Sequence, residues 1–221
     1  MPHDDFQTEP VRGLPEDLPE GEHILWQGQP DWWALTKESL SFWWVAAYFI
    51  FLFAWRTVGG AATETWIQSA TTASFFLVLG AIVCALLLII GLVQAKATVY
   101  TVTNKRVAMR IGAALTITLN LPFRQIANAS LGVRKSGVGT IALEFKEESR
   151  VRLSYLNTWP HVRPWKIKAT QPALRCIPDA RLVAALLSEA AETAVAEPRI
   201  ELSVAPVTSS RGPSNAPVAA E

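Results

Sequence analysis

The longest apolar run in the chain covers residues 73–93, ASFFLVLGAIVCALLLIIGLV, and contains no charged residue, Pro, Asn or Gln. A helix rises about 1.5 Å per residue, so this run is about 30 Å long, which matches the hydrocarbon core of a bilayer. A helix of a soluble domain normally keeps one polar face toward water, and this run has none. The pattern therefore predicts a transmembrane helix at about residues 73–94.

A second apolar run, residues 42–55, precedes the first, and aromatic side chains crowd both of its ends. Trp and Tyr are typical of the interface between membrane and water. Flanking apolar residues extend this run to about 40–58, so we predict a two-helix transmembrane hairpin within residues 39–95. The short length of the run leaves open an interfacial or re-entrant helix.

Basic residues near the two spans lie mostly outside the connection between them. Lys37 precedes the first span, and Lys96, Lys105 and Arg106 follow the second. Because basic residues are retained on the cytoplasmic side, we expect both termini in the cytoplasm and the connection on the opposite side.

After Lys96 the apolar pattern changes from helical to a period of two, which is typical of strands. Turn residues separate short segments rich in β-branched and aromatic residues, at 98–103, 106–111, 114–121, 125–133, 141–145 and 151–156. They predict an antiparallel sheet or a small barrel. A Pro-rich passage at 157–178 is predicted to be irregular, and an amphipathic helix should begin after an Asp179 cap and end near Ala196. A third span at 113–123 is excluded because that segment is short and polar.

Composition predicts that both ends of the chain are unfolded. Residues 1–20 are acidic and rich in Pro, and residues 197–221 contain Pro, Ser and Ala with few large apolar side chains. Residues 21–38 between the acidic end and the first span are predicted to form a strand or an interfacial segment.

Charge is divided unevenly, although the net charge is only +1. Residues 1–41 hold nine acidic and two basic residues, whereas residues 95–178 hold fourteen basic and three acidic ones. Such opposed regions indicate a basic domain that contacts anionic or acidic partners.

The chain carries no recognisable catalytic motif. It has no Gly-rich phosphate loop, no nucleophile elbow and no pair of zinc-binding histidines at helical spacing. Its two cysteines, Cys84 and Cys176, exclude a zinc site with more than two thiolates, and its three histidines are too few and too scattered for a His-rich metal centre. We therefore predict no catalytic residues, no metal and no cofactor, with a His161–Cys176 pair as the one enzymatic alternative.

Three groups of residues are candidates for binding. A polar-aromatic cluster combines the residue types that dominate protein interfaces, although its rings could equally close the edge of the sheet. A basic turn could contact lipid headgroups or could be a solvated hairpin tip. Two glycines eleven residues apart lie near one helix face, where they allow close packing within the hairpin or against another helix. The cluster is Trp159, His161, Arg163, Trp165 and Lys166; the turn is Arg134 and Lys135; the glycines are Gly80 and Gly91.

Two segments resemble the bacterial pleckstrin-homology membrane proteins. YTVTNKRVAMRIG, at residues 100–112, is similar to that family's strand, turn and second strand, and LPEGEHILWQGQPDW, at 18–32, resembles the segment before its first span. The resemblance implies an α+β membrane protein: a two-helix transmembrane hairpin, then a cytoplasmic antiparallel β PH-like domain at 96–196 with a C-terminal capping helix.

A third segment narrows the resemblance. WPHVRPWKIKATQPALRCIPDA, at residues 159–180, is similar to a family of photosynthetic-complex assembly proteins from purple phototrophic bacteria. This implies a non-enzymatic assembly factor in the bacterial inner membrane, with reaction-centre subunits, light-harvesting antenna polypeptides and lipids as partners, possible self-association and no nucleic acid. The alternative is a PH-like membrane protein that binds lipid headgroups or scaffolds other membrane proteins.

Overall fold

A computed structural model describes residues 11–113, 115–149 and 153–196. The predictions of an unfolded segment at residues 1–10 and of an unfolded tail at 197–221 lie outside the described residues. The elements follow the order β1, α1, α2, α3, β2 to β6, α4, β7 and α5.

Two long helices, α2 (Phe42–Gly60) and α3 (Trp66–Ala97), form an antiparallel hairpin. Near the connection, Ser69 Oγ donates a hydrogen bond to the carbonyl oxygen of Thr57 at 2.7 Å. Thr65 and Gln68 form a capping box, so α3 begins at Trp66, before the apolar run itself. The first predicted span lies in α2, a continuous helix of 19 residues, which is longer than the apolar run at 42–55 and long enough to cross a membrane.

The hairpin helices are long and apolar enough to cross a membrane, and the rest of the molecule leaves them uncovered. Their most apolar windows are 0% and 11% buried, whereas a core helix of a soluble protein would be mostly covered. The hydrocarbon core of a bilayer is the environment in which uncovered apolar helices of this length are stable.

A short helix, α1 (Trp32–Ser39), lies between the sheet and the hairpin. Asp31 caps it, with its carboxylate accepting a hydrogen bond from the backbone N–H of Ala34 at 2.6 Å. Leu35 is fully buried, and Thr36 packs against Gly91 of α3. Helix α1 therefore joins the end of the hairpin that lies nearest the sheets to the domain that follows.

Within the described residues, seven strands form two antiparallel sheets. The first has the order β1-β2-β3-β4 and the second the order β5-β6-β7. Their bounds are β1 Ile24–Gly28, β2 Val99–Thr103, β3 Arg106–Ile111, β4 Ile117–Pro122, β5 Ile126–Val133, β6 Gly139–Phe145 and β7 Ala173–Ile177.

Helix α5 (Ala180–Ala196) covers the core between the sheets with one apolar stripe. The stripe includes Val183, Leu187 and Ala190, which pack with strand residues such as Leu143. The α+β class, the two apolar helices, the antiparallel sheets and the C-terminal helix all agree with the sequence-based prediction.

Three local predictions were wrong. Residues 173–177, predicted to be irregular, form β7, which pairs with β6. The predicted strand at 151–156 has its residues 151–152 outside the described part, and its end belongs to helix α4 (Tyr155–Thr158), stabilised by a local hydrogen bond from Thr158 to Ser154. The prediction that residues 1–20 are unfolded fails at residues 11–14, where Val11 and Leu14 form an isolated bridge and Leu14 is buried.

Candidate functional site

A buried chain of hydrogen bonds lies where the domain meets the hairpin. The hydroxyl oxygen of Tyr100 is 2.6 Å from Nδ1 of His161, and Nε2 of His161 is 3.0 Å from Oγ1 of Thr98. Thr98 follows α3 directly and donates to the carbonyl oxygen of Gln94 at 2.8 Å. The backbone N–H of Arg175, in β7, donates to the Tyr100 hydroxyl at 3.2 Å.

These donors fix the tautomer of His161. Because the one hydroxyl proton of Thr98 is donated to Gln94, Thr98 Oγ1 accepts from Nε2–H of His161, so Nδ1 carries no hydrogen and accepts the proton of the Tyr100 hydroxyl. Burial, and after it the nearby charge of Arg175, lower the pKa of His161 to about 3. Burial likewise raises the pKa of Tyr100. The network is therefore neutral at physiological pH and stabilises the junction.

Glu38, in the last turn of α1, connects that helix to the second sheet. Its carboxylate pairs with Nε of Arg134 at the β5–β6 turn and lies 3.8 Å from Nη2 of Arg175. The Arg175 side chain is only 8% exposed, and its Nε has no hydrogen-bond partner among the described residues. The two ion pairs join α1 to the domain. The pair with Arg175 is the buried one, and a buried guanidinium requires a nearby carboxylate.

A polar cavity of about 480 Å³ lies between α1 and the β5–β6 hairpin. Glu38, Arg134 and Arg175 line it, together with Thr140 and Pro164. Glu38 contacts both arginines across this cavity, so the cavity marks the junction between α1 and the domain.

A larger, mainly apolar groove of about 720 Å³ runs between the edge strand β5 and helix α5. Phe123, Ile126 and Leu187 line its floor, and Glu192 and Asn128 lie at its rim. It holds no group of side chains suited to catalysis. Across the described residues, no group of three or more His, Cys, Asp or Glu side chains is placed to hold a metal ion.

The structure divides the predicted polar-aromatic cluster. Trp159 is partly exposed, and Trp165 and Lys166 are exposed. His161 is buried, so its place in a surface cluster was a wrong interpretation, since it bonds to residues more than sixty positions earlier. Arg163 lies at the surface, where its Nη1 donates to Oε1 of Gln171 at 3.2 Å.

The remaining candidate residues occupy a turn and two helix contacts. Arg134 pairs with Glu38, whereas Lys135 is exposed at the tip of the hairpin. A Cβ atom added to Gly80 would lie 2.7 Å from Cβ of Phe49 in α2, and one added to Gly91 would lie 1.9 Å from Oγ1 of Thr36. Both glycines therefore allow close helix packing within this chain.

Sequence reasoning missed Tyr100, Thr98 and Glu38 as members of the junction. Tyr100 and Thr98 were assigned only to a strand pattern, and Glu38 only to an acidic segment. The one available signal was a buried strand that begins directly after a membrane helix, which makes its first polar groups candidates for internal hydrogen bonds.

Comparison with known proteins fits this arrangement. The family model for the bacterial PH domain matches residues 45–191, from the first membrane helix into α5. The chain belongs to the bacterial PH domain family. The match includes strands β2 to β7, helix α3 and α2 from its fourth residue, so this bacterial PH domain protein combines the domain with two candidate membrane-spanning helices.

A curated relative extends the comparison to nearly the whole chain. An uncharacterized 23.7 kDa protein in the puhA 5' region of Rhodobacter capsulatus is 44% identical over 202 residues, which are 90% of this chain and 94% of the relative. No solved structure matches the chain.

Proposed function

We propose that this bacterial PH domain protein is a non-enzymatic membrane assembly factor for the photosynthetic reaction centre and its core light-harvesting antenna. The observation that carries the proposal is the 44% identical relative, whose gene lies beside puhA, a photosynthesis gene locus. The likeness of residues 159–180 to the assembly protein PuhB points to the same role.

The hairpin suits lateral contact with other membrane helices. Outside the packed face that contains Gly80, most large side chains of α2 and α3 face outward, Trp44 and Ile82 among them. Neither span contains His, the usual side-chain ligand of pigment magnesium, so the protein handles pigmented complexes without being a pigment carrier itself.

We infer that the domain contacts the cytoplasmic extensions of the reaction-centre and antenna polypeptides. Trp159 and Arg163 expose an aromatic ring and a guanidinium beside the end of α3, and these two types contribute strongly to protein interfaces. The described residues hold no cluster suited to metal chemistry, and the buried His161 and Cys176 lie in the structural junction. We infer an orientation with both termini in the cytoplasm and a location in the bacterial inner membrane.

The test is a mild-detergent pull-down of the tagged protein from its native photosynthetic membranes. We expect near-infrared pigment absorbance together with small antenna or reaction-centre polypeptides. A colourless preparation with lipid alone would reject the assembly role and favour the second candidate, a PH-like membrane protein that binds headgroups, which the exposed Lys135 at the hairpin tip supports.

A variant pair tests the contact surface. Trp159→Ala with Arg163→Ala should lower the yield of assembled complexes while the abundance of the protein itself stays unchanged. Leu182→Ala, at an exposed position on α5, is the matched control and should leave the yield normal. Equal yields of assembled complexes with the wild-type protein, the Trp159→Ala/Arg163→Ala double variant and Leu182→Ala would show that Trp159 and Arg163 are not part of the partner surface.

A further inference from the structure

The loop of residues 164–170 leaves the domain beside the start of the first span. Its base is closed by the backbone N–H of Arg163, which donates to the carbonyl oxygen of Gln171 at 2.9 Å. Pro164 lines the same cavity as Glu38, which lies four residues before Phe42, the first residue of α2. Four residues span at most about 14 Å, so this loop begins close to the membrane entry of α2.

The end of the second span fixes the same loop independently. His161, three residues before Pro164, bonds to Thr98, the residue that ends α3. The apolar run of α3 finishes at Val93, so Thr98 is about 8 Å further along the helix axis, within the interfacial zone of a bilayer.

A second loop reaches this end of the domain. Strand β2 starts at Val99, which pairs with Arg110, and β3 then continues past that pair into the turn that contains Leu115. Leu115 is 82% exposed. The opposite end of the β2–β3 hairpin carries Lys105, about 17 Å from α3 at the rise of an extended strand.

The 164–170 loop has the composition of a membrane interface. Trp165 is 92% exposed and Ile167 is 67% exposed, with Lys166 and Lys168 beside them. The sequence contains no acidic residue from 150 to 178. Trp165 also adopts a φ of 65°, a backbone conformation that bulky residues rarely take outside functional or strained sites.

We propose that Trp165 and Ile167, and Leu115 at the same end of the domain, insert into the interfacial layer of the same bilayer that α2 and α3 cross. Lys166 and Lys168 then lie among anionic headgroups, while their aliphatic stems cover the apolar side chains. Water is a poor environment for an exposed Trp and Ile, whereas the interfacial layer favours both. The domain is thereby held against the membrane in one orientation, and Trp165 and Lys166 belong to this contact rather than to the protein-partner surface.

Site-specific fluorescence in nanodiscs tests the proposal. In full-length protein carrying Cys84→Ser, an environment-sensitive fluorophore is attached at Ile167→Cys, at Leu115→Cys or, as the matched control, at Lys105→Cys. Cys176 is fully buried and stays unlabelled in the folded protein. We expect blue-shifted emission and quenching by nitroxide-labelled lipids at positions 167 and 115, and water-like emission at 105.

The lipid composition and a charge variant sharpen the result. Adding phosphatidylglycerol to phosphatidylcholine should deepen insertion at position 167, and Lys166→Gln with Lys168→Gln should remove that dependence. Iodide, a quencher dissolved in the water phase, should reach the fluorophore at position 105 more easily than the one at 167. Equal quenching at the two positions, with and without phosphatidylglycerol, would overturn the proposal. So would a shift that appears only after photosynthetic subunits are added. The nanodisc holds only lipid and this chain, so a failed assembly role leaves this test intact.

Discussion

The hydroxyl of Tyr100 donates a hydrogen bond of 2.6 Å to Nδ1 of His161, and this pair joins the strand that follows the second span to the loop that precedes β7. Their rings also meet edge to face, with centroids 5.8 Å apart. The same histidine also bonds to Thr98, which lies between the end of α3 and the start of β2. The membrane hairpin and the PH domain are thus joined by directed bonds between fully buried groups, which favours one relative orientation.

Removing the Tyr100 hydroxyl should destabilise the protein more than a single lost hydrogen bond suggests. Tyr100→Phe leaves both Nδ1 of His161 and the backbone N–H of Arg175 without their partner, so we expect a cost of about 1–3 kcal/mol. Thermal unfolding in detergent of Tyr100→Phe, His161→Leu and the double variant measures the coupling. Tyr155→Phe, at a half-buried position, is the control and should change stability little. Strictly additive single-variant effects would show that the two side chains are not coupled.

Acid should destabilise the protein through His161. The pKa of His161 is about 3 in the folded protein and about 6.5 in the unfolded chain, so between these values the unfolded state binds more protons. The contribution of His161 to stability is therefore constant above about pH 7 and falls as pH decreases toward 3, by up to about 1.4 kcal/mol per pH unit. Melting temperature against pH measures this slope, which His161→Leu should make shallower. Parallel curves for the two proteins would contradict a neutral buried histidine.

Sequence patterns predicted the elements whose signal is local. The apolar run at 73–93 and the alternating strands β2 and β3 depend on neighbouring residues, and both were found. Strand β7 was missed because Pro172 and Pro178 flank it and only Ile177 among its five residues is β-branched or aromatic, so its local pattern is not that of a strand. The polar junction was missed because its bonds join residues more than sixty positions apart, which no local pattern reports.

Close packing of α1 against α3 should depend on the absence of a side chain at residue 91. In Gly91→Ala the new Cβ would lie 1.9 Å from Oγ1 of Thr36, so we expect a loss of about 1–3 kcal/mol. Gly59→Ala is the matched control, because a Cβ there meets nothing within 4 Å, and it should be neutral or slightly stabilising.

A second substitution separates this contact from a general helix effect. Thr36→Ala removes the clashing oxygen and leaves only the Thr36 Cβ position, 3.1 Å from the new Cβ, so it should recover part of the stability lost in Gly91→Ala. The comparison uses melting temperatures in detergent of the wild-type protein, Gly91→Ala, Thr36→Ala and the double variant. If Thr36→Ala and Gly91→Ala were merely additive, the close approach of these two residues would not determine the packing of α1.

Cys176 should be unreactive as long as the junction is folded. Burial, and after it the negative charge of the Glu38 carboxylate, raise the pKa of its thiol to about 12. Near pH 8 the reactive thiolate should be about a thousandfold scarcer than for a free cysteine, and the side chain has no exposed surface. In the Cys84→Ser protein, maleimide labelling should be very slow before denaturation and rapid after it. Leu182→Cys in a chain carrying Cys84→Ser and Cys176→Ala gives the rate of an exposed thiol. Labelling of native Cys176 at that rate would mean that α1 and Glu38 separate from β7 in the folded protein, and the junction would then be mobile rather than fixed.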